Sequence, residues 1–384
     1  MTARFLQGCD VLTPRGRLSG HGVLVEAGVI RAVLPAATQP NAERVALPPD
    51  TLLAPGLIDI QVNGGGGVLF NDDPTPEAAL AIAAAHRRLG TLAIMPTLIT
   101  SPAETMRRAA AALAPAVRAD AGVLGIHFEG PFLSPKRPGV HRPDFIRAPD
   151  EKDIQCIEQL ATAGVGRVLL TLAPEWVPHA VQMRLAAAGV VLSAGHSEAS
   201  FDDMRAPVRG ITHIFNAMPA PAARAPGLAA AGLLGNFFAG LILDGIHVHP
   251  AMARLVLAAR GAGHTMLVSD AMSVTGTHAT MFELQGRRIL RRNGRLETAD
   301  GVLAGADLCL AQAVRNAVSL LHLDVAEAVG MASGVPADFL GLARERGRIA
   351  SGLRADFVLF SDTLDVLGTW RAGVWDGLPD LVAA

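Results

Sequence analysis

Four side chains able to bind a metal ion or carry a proton end four separate apolar runs of this sequence. Gly125-Ile126-His127-Phe128-Glu129 stops on a carboxylate, with Gly130 and Pro131 immediately behind it. Val191-Leu192-Ser193-Ala194-Gly195-His196 and Ile211-Thr212-His213 stop on imidazoles, and Met266-Leu267-Val268-Ser269-Asp270 on a second carboxylate. A charge at a strand end is also what solvation alone produces, so Glu129 by itself decides nothing. Four such groups on four strands can converge on one point. Imidazole and carboxylate donors with no thiolate are the set that a hydrolytic divalent ion uses, with one position kept open. Glu129, His196 and His213 supply three ligands. Asp270 has two readings, a further ligand or a general base for the attacking water. With three ligands already in place, the base is the more useful role.

Gln61-Val62-Asn63 is informative for what it lacks. Many metal hydrolases built on a barrel carry His-x-His at the end of the first strand, and amides are poor ligands beside imidazole. A second, deeper metal therefore loses its anchor. Lys136 and Lys152 are the only lysines, and neither ends an apolar run, so no carboxylated lysine is available to bridge two ions. The expectation is one divalent ion per chain, with zinc the expected metal.

Side chains at strand ends need strands, and strand-like runs recur near 57–61, 91–95, 123–128, 167–172, 190–194, 211–215, 239–243 and 265–269. Helical signals lie between them. Thr75 reads as an N-cap, with Pro76 behind it, for a helix running to Gly90, and Ser101-Pro102-Ala103-Glu104 reads as a capping box. Eight strands alternating with helices predict a closed parallel barrel whose functional side chains sit at the strand ends. A doubly wound sheet shares the alternation, but no strand-to-helix turn carries G-x-G-x-x-G. Gly64 to Gly67 reads as a flexible exit from the first strand. Near both chain ends the texture changes to short strands and turns (Val23 to Val25, Val29 to Leu34, Phe357 to Phe360, Gly368 to Val374). The fold class is therefore α/β, a (β/α)8 TIM-like barrel over residues 54–345. A small β-sandwich domain built from both termini, 1–53 and 346–384, completes it.

Composition narrows the function classes. The 384 residues are 50% hydrophobic and 18% charged, which allows a large core and argues against disorder. A formal net charge of −2 points to no nucleic acid and no anionic membrane as partner. Arg287 to Arg295 is rich in arginine, but Asn293-Gly294 marks a turn and no aromatics interleave, so it reads as a solvated hairpin. Cys9, Cys156 and Cys309 are scattered and indicate neither a disulfide framework nor a thiolate zinc site. No secretory leader is read in Met1 to Asp10, and a reducing cytoplasm is the default. Ala225 to Leu243 is uncharged and long enough to span a membrane, yet Pro226, Asn236 and several glycines make it read as buried barrel structure.

The motifs Pro55-Gly56-Leu57-Ile58-Asp59, His127-Phe128-Glu129-Gly130-Pro131-Phe132, Ala194-Gly195-His196-Ser197, Thr212-His213-Ile214-Phe215-Asn216-Ala217-Met218, Asp244-Gly245-Ile246-His247-Val248 and Val268-Ser269-Asp270-Ala271 stand in that order. Together they resemble the N-acetylglucosamine-6-phosphate deacetylase family of the amidohydrolase superfamily, from about residue 54 to 310. The resemblance implies hydrolysis of the acetamide of N-acetylglucosamine 6-phosphate, with Glu129, His196 and His213 on the metal and Asp270 as acid and base. It implies substrate contacts from Val140 and His141, from Asn216, Ala217, Arg224 and His247 on the sugar phosphate, and from Leu303, Ala304 and Gly305. Gln61 and Asn63 match the single-metal branch of the family, and the active site is implied to be completed across a homodimer. Alternatives are a deacetylase for another N-acetylhexosamine 6-phosphate, a cyclic-amide hydrolase of the same superfamily, and a sugar-phosphate-binding barrel without catalysis.

Overall fold

Eight of the apolar runs become the strands of one parallel sheet in the computed structural model, which describes residues 3–376. They are β1 (Leu57–Val62), β2 (Thr91–Ile99), β3 (Gly125–Glu129), β4 (Arg167–Leu172), β5 (Val191–Ala194), β6 (Gly210–Ile211), β7 (Phe238–Leu241) and β8 (Thr265–Leu267), paired in chain order. The ring closes just beyond β8. Val62 bridges Ala271 there, with Asp270 N donating to Gln61 O (3.0 Å) and Asn63 N to Ala271 O (2.9 Å). This is the (β/α)8 barrel that the alternation predicts.

Strand alternation sorts the side chains. Along β3, Ile126 and Phe128 pack outward against Met106, Leu113, Ile154 and Ile157 of the surrounding helices. His127 and Glu129 are left on the barrel interior, where His127 Nε2 meets Thr171 Oγ1 of β4 at 2.8 Å. Burial pushes the His127 imidazole down to about 4, so it stays neutral. The helix Pro76–Arg87 begins as its sequence predicts, with Thr75 Oγ1 accepting from Ala78 N (3.2 Å).

Two local expectations are corrected. Ser101 does not cap the helix Ala103–Ala119, which starts from Pro102 without a side-chain cap. Its hydroxyl is buried, donating to Ile99 O (2.8 Å) and accepting from Asn71 Nδ2 (2.8 Å), partners that lie far off in sequence or on the strand behind it. Gly64 to Gly67 is a tight hairpin rather than a loose exit: Gly64–Gly65 pairs with Val68–Leu69. A Cβ on Gly64 would strike Val68 O and the Ser273 backbone, which is why only glycine fits.

Both chain ends meet in one six-stranded sheet, where residues 52–55 run antiparallel to 357–360 and pair Leu53 with Leu359. A four-stranded sheet (29–35, 21–26, 4–7, 43–46) faces it. Leu6, Val23 and Ile30 meet Val11, Leu53, Phe357 and Trp370 in the layer between. We keep the division 1–53, 54–345 and 346–384 as a proposal; strand 52–55 straddles its first boundary, and residues 1–2 and 377–384 lie outside the described residues. The arginine-rich segment is a hairpin (Arg287–Arg292 with Arg295–Glu297) turning at Asn293 and Gly294, both at positive φ. The uncharged run at 225–243 splits into the helix Gly227–Leu234 and β7, and among the described residues no helix is long and apolar enough to cross a membrane.

Candidate active site

Glu129 ends β3, His196 and His213 lie two residues beyond β5 and β6, and Asp270 three beyond β8. The structure brings all four to one end of the barrel. Glu129 Oε1 lies 3.2 Å from His196 Nε2 and 2.9 Å from His213 Nε2, and the two Nε2 atoms are 3.1 Å apart. A four-coordinate ion with bonds of about 2.0–2.1 Å keeps neighbouring donors roughly 3.3 Å apart, so this triangle has the size of one face of such a shell. Two imidazole nitrogens facing each other across one carboxylate oxygen also leave a lone pair that a cation satisfies. His196 Nδ1 donates to Arg137 O (3.0 Å), which orients the ring with Nε2 aimed inward. The donor set fits a divalent ion. Burial opposes ionisation of Glu129, but the bonds from His196 and His213 outweigh it and hold the carboxyl well below its usual range.

His141 joins this cluster, with a ring nitrogen within 4.8 Å of the Glu129 and His196 donor atoms and Nδ1 on Thr100 Oγ1 (2.8 Å). Burial and the neighbouring His196 keep its pKa well below the usual imidazole value. Asp270 stands opposite. Its Oδ1 accepts from Asn63 Nδ2 (2.7 Å) and Gln61 Nε2 (3.2 Å), and Gln61 Nε2 also reaches Glu129 Oε1 (3.1 Å). Where a His pair is absent, two amides brace the two carboxylates. Burial, then the Glu129 charge, pushes the Asp270 carboxyl up to about 6, close to the range of a working general base.

Backbone strain collects at the same place. His196 (φ 49°), His213 (29°), Phe215 (75°), Ala217 (49°) and Asp270 (51°) all occupy the left-handed region. Each such residue costs on the order of 1–3 kcal/mol, and clusters of them mark functional sites.

The four groups open onto a cavity of about 250 Å³ whose wall includes Val140, His141, Asn216, Ala217, His247, Leu303 and Gly305. His247 Nδ1 donates to Asp244 Oδ2 (2.6 Å), and Asn216 Nδ2 donates to His213 O (3.1 Å), so Asn216 also props the backbone of His213. Ala304 is wholly buried in the apolar cluster behind the cavity, with Met272 and Val140. Arg224 is not brought to the cavity of its own chain. It is exposed, in a turn closed by Ala222 and Ala225, each donating to the other's carbonyl at 3.2 Å.

The chain matches the amidohydrolase family over residues 52–376. It belongs to that family. Members are metal-dependent hydrolases, and in this hydrolase Glu129, His141 and His196 form a buried cluster with the donors to hold an ion. It is 40% identical to N-acetylgalactosamine-6-phosphate deacetylase of Shewanella sp. (strain ANA-3), over 95% of this chain and 94% of that protein. N-acetylglucosamine-6-phosphate deacetylase from Pasteurella multocida superposes with a TM-score of 0.93 at 30% identity, covering 98% of this chain and 100% of the other. A variant of N-acetyl-D-glucosamine-6-phosphate deacetylase from Mycobacterium smegmatis, solved in complex with N-acetyl-D-glucosamine-6-phosphate, gives 0.90 at 32% identity, covering 98% and 99%.

Three parts of this amidohydrolase site escape the reading of its sequence. Asp244 buttresses His247, and the spacing Asp-x-x-His was its only signal. Thr100 anchors His141 from the end of β2, and the Arg137 carbonyl orients His196. The last two act through contacts between loops, which residue type does not announce.

Proposed function

We propose that this amidohydrolase hydrolyses the acetamide of N-acetyl-D-glucosamine 6-phosphate, giving D-glucosamine 6-phosphate and acetate, a step in amino-sugar breakdown. The observation that carries the reading is the convergence of Glu129, His196, His213 and Asp270, from four strands, on one cavity that also holds the Asp244-braced His247. Glu129, His196 and His213 would hold the ion, for which zinc is our choice. When bound, it supplies Lewis acidity toward the acetyl oxygen and acidifies water. Asp270, fixed through Oδ1 by Asn63 and Gln61, keeps Oδ2 for the proton of the water that attacks the carbonyl carbon. The same carboxyl returns that proton to the amide nitrogen as the C–N bond breaks. His141, with Val140, Leu303 and Gly305, encloses the sugar, and His247, Asn216 and Ala217 receive the phosphate. Arg224 is exposed on its own chain, which supports a homodimer in which it serves the neighbour's phosphate. Cytoplasmic location is part of the same reading, supported by three unpaired cysteines.

N-acetyl-D-galactosamine 6-phosphate is the second reading, favoured by the 40% identity to the Shewanella protein of that name. Metal analysis with acetate release tests the core. Protein reconstituted in excess zinc should hold one tight ion per chain, lose activity on chelation and regain it with zinc. Glu129→Ala, His196→Ala and His213→Ala should hold none. Two tight ions per chain, or full activity without metal, would contradict the reading.

A further inference from the structure

Strand β4 sends no ligand to the metal cluster, yet its exit loop grips the loop that carries one. The Glu175 carboxylate accepts from Ser197 Oγ (2.7 Å) through one oxygen and from Glu198 N (2.6 Å) through the other. Those are the two residues that follow His196. His196 itself is in the left-handed region (φ 49°), where a side chain with a Cβ stays only when its surroundings hold it. Its own carbonyl accepts from Ser134 N (2.9 Å), and Ser197 N donates to Ala217 O (3.2 Å). Ser197 Oγ in turn accepts from Ala199 N (2.9 Å). The circuit closes on the ring: Glu198 pairs with the Arg137 guanidinium, and the Arg137 carbonyl takes His196 Nδ1–H. From below, Gly195 allows the close approach, since a Cβ there would lie 2.9 Å from Thr171 Cγ2 and 3.0 Å from Thr212 Cβ.

We propose that Glu175 is a positioning residue of the metal site, clamping Ser197 and Glu198 so that the strained His196 backbone keeps Nε2 aimed at Glu129 and His213. A carboxylate suits the task because it offers two acceptors and no donor, and both partners are donors. The inference rests on the reading that Glu129, His196 and His213 hold the ion. Partners that orient a ligand typically change metal affinity by 10–100-fold when removed.

The test is zinc release from the reconstituted holoenzyme into a colorimetric chelator, for wild type, Glu175→Ala, Glu175→Gln and His196→Ala. Glu175→Ala should release zinc about tenfold faster or more. Glu175→Gln, which keeps one acceptor oxygen, should fall between it and wild type. Far-ultraviolet circular dichroism of each holoenzyme should match wild type, so that faster release is not unfolding. Release at the wild-type rate from Glu175→Ala overturns the proposal, as does release from Glu175→Gln as fast as from Glu175→Ala. Retention of tight zinc by His196→Ala would instead sink the metal assignment itself.

Discussion

At the scale of single residues, the proposed reaction turns on the proton of Asp270. Burial and the Glu129 charge raise its pKa to about 6, so below that pH the carboxyl already carries a proton and cannot take one from water. A cation bound at Glu129 and the histidines opposes this rise and moves the value down. The acidic limb of the pH–rate profile should therefore lie at or below about pH 6, with activity lost as pH falls through it. Asp270→Asn keeps the hydrogen-bonding shape but accepts no proton. Turnover should fall by roughly a hundredfold or more, with zinc content near normal and the acidic limb gone. Loss of zinc would make Asp270 a ligand, and retained turnover would remove it from the chemistry. The four groups at the mouth were legible in the sequence because strand ends fix direction: an apolar run that stops on Glu, His or Asp delivers that side chain to the barrel rim. Glu175, Thr100 and Arg137 were not, since their work is done by a carboxylate on a backbone N–H, a hydroxyl and a carbonyl of neighbouring loops.

Elements were legible where the signal is local and unclear where distant segments compete. Thr75 caps its helix because nothing else claims its hydroxyl apart from the adjacent Asp73. Ser101 has the same local signature and is taken instead by Asn71, Ile99 and Gln285, which approach from β1's hairpin exit, β2 and the turn that leads into the arginine-rich hairpin. Thr75→Ala should accordingly lower stability by about 1 kcal/mol in urea unfolding, the usual cost of a lost N-cap, and leave kcat alone. Gly64→Ala should do more. The added methyl must displace Val68 or the Ser273 backbone three residues past Asp270, at about 1–3 kcal/mol. Wild-type stability in Gly64→Ala would show that the hairpin is looser than its packing indicates.

For the whole molecule, the two chain ends form one sheet and the barrel closes beside it, an arrangement predicted by matching textures at both termini. Arg224 is where a reading of one chain stops short, because its side chain points to solvent and a neighbour has no mark in the sequence. If it serves the phosphate of a partner subunit, Arg224→Ala should weaken phosphorylated substrate by on the order of 2 kcal/mol, about thirtyfold. Co-expressed Arg224→Ala and Asp270→Asn chains should then recover activity above either parent, since half of the hybrid's sites carry neither change. Hybrids no better than the mean of the parents would place Arg224 outside the partner's site. The central claim is tested most directly by acetate release from N-acetylglucosamine, N-acetylgalactosamine and the 6-phosphates of both. The phosphorylated sugars should be hydrolysed far faster than the free ones, with N-acetylglucosamine 6-phosphate the preferred substrate. Equal rates with and without phosphate, or no acetate from any of the four, would contradict it.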